Sequence, residues 1–142
     1  MKAEVIEKGI LLTFDELRIL LYGMGVREIE GIYMPEKTFQ KEEILFAMHH
    51  MAEAGFIEAG EEKFRVREDV RTLLETMAYP EQTEIFHPGG SEGPAFFLYE
   101  KEETVVVSQQ FFQKKDTLRL SVFGRKEFEQ WREEIVNDYR RD

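Results

Sequence analysis

No cysteine occurs anywhere in the 142 residues, so the chain has no disulfide framework, no thiol nucleophile and no thiolate metal site. Apolar runs are short as well, and none approaches the roughly 18 residues that span a bilayer. The opening Met1–Lys8 is charged throughout and has no signal-peptide core, which predicts a cytoplasmic protein. Positive charge is scarce: 19 Lys and Arg face 29 Asp and Glu, a formal net charge of -10. Such a surface repels phosphate backbones and anionic lipid, so neither nucleic acid nor membrane is expected as a partner. What is there is 42% apolar and 13% aromatic, enough for a packed globule. The length suits a single α+β domain over residues 1–142. Its helical and hairpin part is expected to run to about residue 80, followed by an antiparallel meander and a closing helix.

Thr13-Phe14-Asp15-Glu16 has the form of a capping box. With Leu17, Leu20 and Leu21 on one stripe, it predicts a helix from about Thr13 to Met24, ended by Gly25. A second helix is expected from about Thr38 to Ala54, with Gly55 as its terminator. Its Ile44, Leu45, Met48, Met51 and Ala52 form one apolar face, and Phe46 with Ala47 part of another, which predicts burial on two sides. Phe56–Ala59 and Lys63–Val66 read as a short hairpin, Arg67–Ala78 as a third helix and Glu84–His87 as a strand. The meander is Ala95–Glu100, Thr104–Phe112 and Thr117–Phe123. A helix over about Arg125 to Tyr139 closes the chain, striped with Phe128, Trp131, Ile135 and Tyr139.

The meander strands are apolar on both faces. Pairing Leu98 with Val105, Phe96 and then Val122 with Val107, and Phe111 with Leu118 gathers eight apolar residues on one face. These are Phe96, Leu98, Val105, Val107, Phe111, Leu118, Leu120 and Val122, predicted to form the core under helices. The opposite face would then carry Phe97, Tyr99, Val106, Gln110, Phe112, Arg119 and Phe123, with Ser108 and Ser121 among them. Aromatics mixed with Ser, Gln and Arg suit a protein-binding surface, so these seven residues are the predicted partner-binding site. Helices of the same chain covering that face is the alternative.

Nothing points to catalysis, a metal or a cofactor. Gly89-Gly90-Ser91-Glu92-Gly93 matches the G-x-S-x-G elbow in letters, but Pro94 and a strand follow it where a helix is needed. His87 is the last histidine, whereas that triad needs one after the serine. Adjacent His49 and His50 point about 100° apart on a helix, which does not suit one shared metal. His49 is expected to pair with Glu53, and His50 to pack beside Phe46. The many carboxylates occur in runs with Lys or Arg nearby, the pattern of a solvated face.

From Thr38 to Arg71 the order of helix, glycine and hairpin is also that of a winged helix. Its would-be recognition helix sets Lys41 against Glu42, Glu43 and Glu53, where base reading needs Arg, Lys, Asn or Gln. An acidic winged-helix transcriptional regulator is therefore the second reading.

The element order resembles one half of the EspG family, the cytoplasmic chaperones of type VII secretion. Three stretches carry the resemblance: Leu11-Leu12-Thr13-Phe14-Asp15-Glu16-Leu17, then Met51-Ala52-Glu53-Ala54-Gly55-Phe56-Ile57 leading into Lys63–Val66 and Pro80, then the meander ending at Phe123-Gly124. In that family two such halves in one chain hold the helical tip of a secretion substrate soluble, and this chain has one. The resemblance implies a non-enzymatic adaptor or chaperone-like protein. Two copies pairing through the open strand face into a homodimer would replace the missing half. No individual binding residue carries over.

Overall fold

The computed structural model describes residues 9–33, 35–59, 64–90, 95–110 and 116–140. A short strand, β1 (Ile10–Thr13), leads directly into α1 (Phe14–Gly23). The junction is the expected capping box: Thr13 Oγ1 accepts from the Glu16 amide at 3.0 Å, and Glu16 Oε1 accepts from the Thr13 amide at 2.9 Å. The helix ends where Gly25 takes φ +81°, with the Val26 amide bonded back to the Leu21 carbonyl at 2.9 Å.

The second helix, α2 (Lys41–Glu53), begins later than expected. Gln40 is its cap, and the Gln40 amide donates to Glu43 Oε1 at 3.0 Å. Gly55, at φ +85°, turns the chain into the hairpin of β2 (Ile57–Ala59) and β3 (Phe64–Val66). Then comes α3 (Glu68–Ala78). Arg67 fastens these pieces together: its guanidinium donates to the Gly55 carbonyl at 2.9 Å and to both carboxylate oxygens of Asp69. That hydrogen bond holds the Asp69 carboxyl below its usual range.

The remaining elements are β4 (Gln82–Phe86), β5 (Phe96–Lys101), β6 (Thr104–Gln110), β7 (Thr117–Gly124) and α4 (Arg125–Arg140). The main sheet has five strands in the order β1-β7-β6-β5-β4, every pair antiparallel. The fold is α+β, as the sequence predicts. Its sheet is larger than the meander because β1 adds to β7 and β4 to β5. The N-terminal strand thus joins the C-terminal sheet.

The strand register corrects the expected faces. Leu98 pairs with Val107, and Val107 pairs with Ser121 instead of Val122. A slip of one residue sends every β7 side chain to the other side. One face therefore carries Tyr99, Val106, Leu118 and Leu120 beneath α1 and α3, continuous with Leu17, Leu21, Met51, Leu74 and Met77. The other carries Phe86, Phe96, Leu98, Val105, Val107 and Phe123 beneath Phe128, Trp131 and Ile135 of α4. Both faces carry a helical cover from the same chain, which is why the strands read as apolar throughout.

The second core is strongly aromatic. The Trp131 ring meets Phe96 edge-on at 5.3 Å and lies 5.6 Å from Phe123 and 5.9 Å from Phe128. Such pairs contribute about 0.5–1.5 kcal/mol each beyond the area they bury. Arg132 closes the edge of this core, stacked over Phe86 at 4.7 Å and paired with Glu84 at 2.6 Å.

Candidate functional site

The seven residues predicted to share an open strand face do not do so. Tyr99 and Val106 are wholly buried under α3 and its neighbours. Phe123 is buried on the opposite face against Phe128 and Trp131. Arg119 shares the Phe123 face, paired across the ladder with Gln109. Gln110 is exposed at the end of β6, and Phe112 lies outside the described residues. Phe97 is half-buried, its ring against that of Tyr99 at 4.9 Å. Gly31 (φ +85°) closes over Phe97 so tightly that any Cβ there would collide with the ring. The homodimer expected through an uncovered strand face therefore loses the surface it needed.

The Tyr99 hydroxyl also has an internal partner. It donates to the Glu30 carbonyl at 2.6 Å and so fixes the loop after α1 onto the sheet. Burial first, and the Glu30 charge second, push the Tyr99 phenol well above its ordinary value.

Apolar surface is left exposed elsewhere, on α2. Ala47 and Met51 are the residues this helix buries. Ile44 and Leu45 stay substantially exposed, and Phe46 is 76% exposed, against the expectation that α2 is buried on two sides. The reason lies in the helical wheel: Phe46 and Leu45 stand on opposite flanks of the Ala47–Met51 direction, and no other element packs on both flanks. On one flank the β2–β3 hairpin sets Phe64 edge-on to His49 at 5.7 Å. On the other, α1 stands off and leaves a groove.

That groove encloses about 710 Å³. Thr13, Asp15, Glu16 and Ile19 form its α1 wall; Glu42, Glu43, Phe46, Ala47 and His50 form its α2 wall, and Phe39 stands at one end. Phe39 is held against Tyr22 of α1 with ring centroids 6.1 Å apart. Glu16 is the polar anchor of the floor. Its side chain is buried, one oxygen capping α1 and the other 2.5 Å from His50 Nδ1. Asp15 is matched by Arg18 at 2.7 Å and Lys37 at 2.8 Å. Neither Glu42 nor Glu43 forms an ion pair among the described residues, so the α2 rim keeps its negative charge.

The histidines thus differ from expectation. His49 meets Phe64 and not Glu53, and His50 meets Glu16 and not Phe46. Among the described residues, no three His, Asp or Glu side chains gather closely enough to hold a metal ion. Ser91 of the G-x-S-x-G match lies outside the described residues, and His87 is exposed. No helix among the described residues is long and apolar enough to cross a membrane.

No protein-family model matches the chain, and no curated protein matches it. The groove was missed by sequence reasoning because Phe46 and Ala47 look like any second core face. The signal that could have found it was the placement of Glu42 and Glu43 one turn before Phe46 and Ala47 on one flank of the helix.

Proposed function

We propose that this protein is a non-enzymatic adaptor or chaperone-like protein that binds another protein through the α1–α2 groove, in the cytoplasm. The supporting observation is the exposure of Phe46 beside buried Ala47, on the wall of a groove between two helices. Exposed clusters of this kind, rimmed by polar groups, mark interaction sites more often than scattered single residues do. A type VII secretion substrate is the client that the EspG-like element order implies.

The test is site-specific. A photoreactive phenylalanine analogue replaces Phe46 in the native host, and in a control strain it replaces Glu129, an exposed residue of α4. Light-dependent adducts at position 46 and not at 129 are expected. Their absence at position 46 contradicts the proposal.

An acidic winged-helix regulator is the second reading, favoured by the hairpin that follows α2 directly. The exposed flank of α2 offers it Ile44, Leu45, Phe46 and two glutamates, and the helix has no Arg, Asn or Gln to read a base edge. Sequence-selective retention of duplex DNA in a low-salt gel shift would favour the regulator over the adaptor.

A further inference from the structure

We infer that the occupant of the α1–α2 groove is an amphipathic helix with a basic polar flank. The inference rests on the protein-binding proposal and adds the chemistry of the partner. Three features of the groove converge on it.

The first is shape. The groove runs between two helices, with Phe39 at one end, Ile19 on the α1 wall and Ala47 on the α2 wall. A helix presents apolar side chains at i, i+3, i+4 and i+7, and such a row fits a trough between two helices. A flat sheet edge would instead be met by an extended strand; of the two edges of the sheet, β4 does not line this groove and β1 reaches it only through Thr13, the cap of α1.

The second is the exposed ring. Phe46 stands on the α2 wall of the groove, beside the space it encloses. An apolar ridge laid into the trough would remove it from water together with the half-exposed Phe39. Aromatic anchors of this kind supply much of the affinity at protein interfaces.

The third is charge. Four carboxylates line the groove, and among the described residues no Lys or Arg side chain is part of its walls. Arg18 and Lys37 satisfy Asp15, and His50 meets Glu16, which leaves Glu42 and Glu43 without an ion pair among the described residues. Both lie in the first turn of α2, where the helix dipole holds them whether or not a partner is bound. With a whole-chain charge of -10, this rim repels an acidic flank and attracts a basic one, which sets specificity and association rate.

The experiment uses labelled helical peptides about five turns long. All share one leucine ridge and differ in a polar face of Lys, Glu or Gln. Fluorescence anisotropy measures their binding to the full chain, to Phe46→Asp and to the double variant Glu42→Lys/Glu43→Lys. The basic peptide is expected to bind at least about tenfold tighter than the acidic one, and to weaken as salt is raised. The double variant should abolish or invert that ratio, and Phe46→Asp should lose the basic peptide.

Equal affinity for the basic and acidic peptides overturns the charge inference and leaves the groove as a protein-binding site. Binding of no peptide, while adducts still form at position 46 in the host, overturns the helical partner alone. Absence of both overturns the inference and the protein-binding proposal together. Retention of the basic peptide by Phe46→Asp places it elsewhere and overturns the inference. So does tighter association of the wild type with phosphatidylserine vesicles than with the basic peptide.

Discussion

Glu16 Oε2 lies 2.5 Å from His50 Nδ1, so one buried carboxylate both caps α1 and joins it to α2 across the groove floor. Glu16→Ala removes the cap and the cross-helix contact together. It should cost about 1–2 kcal/mol, the range of a lost cap plus a small contribution from a pair whose histidine is largely exposed. His50→Ala leaves the cap in place and should cost less than about 1 kcal/mol, because its ring is largely exposed. Urea unfolding of the two variants measures the difference.

Phe46 and Met51 test the distinction between surface and core on a single helix. Phe46→Asp should change stability by no more than about 0.5 kcal/mol, since the ring faces solvent. Met51→Ala, at a fully buried position, should cost about 2–5 kcal/mol. Thermal and urea unfolding monitored by circular dichroism give both values.

Tyr99 gives a pH signature. Its phenol is pushed up in the fold by burial and, second, by Glu30. A group whose pKa is higher folded than unfolded contributes stability that is intact below the unfolded value and lost as pH climbs past it. The wild type should therefore lose about 1.4 kcal/mol per pH unit above the ordinary tyrosine value of 10.0 from this residue. Tyr99→Phe should be less stable near neutral pH by about 1 kcal/mol, having lost the bond to the Glu30 carbonyl, and should show a shallower alkaline decline. Urea midpoints at pH 8 to 11 compare the two.

Much of the fold is legible in the sequence because local chemistry decides it. The Thr13–Glu16 capping box, the glycine terminators Gly25 and Gly55, and the Phe128–Trp131–Ile135 stripe all occur as read. Three things were not legible, each for its own physical reason. In β7 both Leu120 and Phe123 are apolar yet belong to opposite faces, so alternation alone could not set the β6–β7 register. With the register shifted, an apparently open face became two covered ones. β1 escaped notice because Leu11-Leu12-Thr13 merges with the helix signal that follows it. The groove depends on where α1 stops short of α2, a long-range relation that no local pattern encodes.

The covering role of α4 has its own test in Trp131, the single tryptophan. It is 1% exposed, and its Nε1 has no hydrogen-bond partner among the described residues. Emission should be blue-shifted and resist acrylamide quenching. Trp131→Ala should cost about 3–5 kcal/mol and uncover Phe96 and Val107, seen as binding of a hydrophobic dye.

Chemical-shift mapping with the basic amphipathic peptide tests the location of the docking surface most directly. The account predicts perturbations concentrated at Ile19, Phe39, Phe46, Ala47 and His50, with Tyr99 and Val106 unmoved. Perturbations centred on β5, β6 and β7, with α1 and α2 silent, would contradict it.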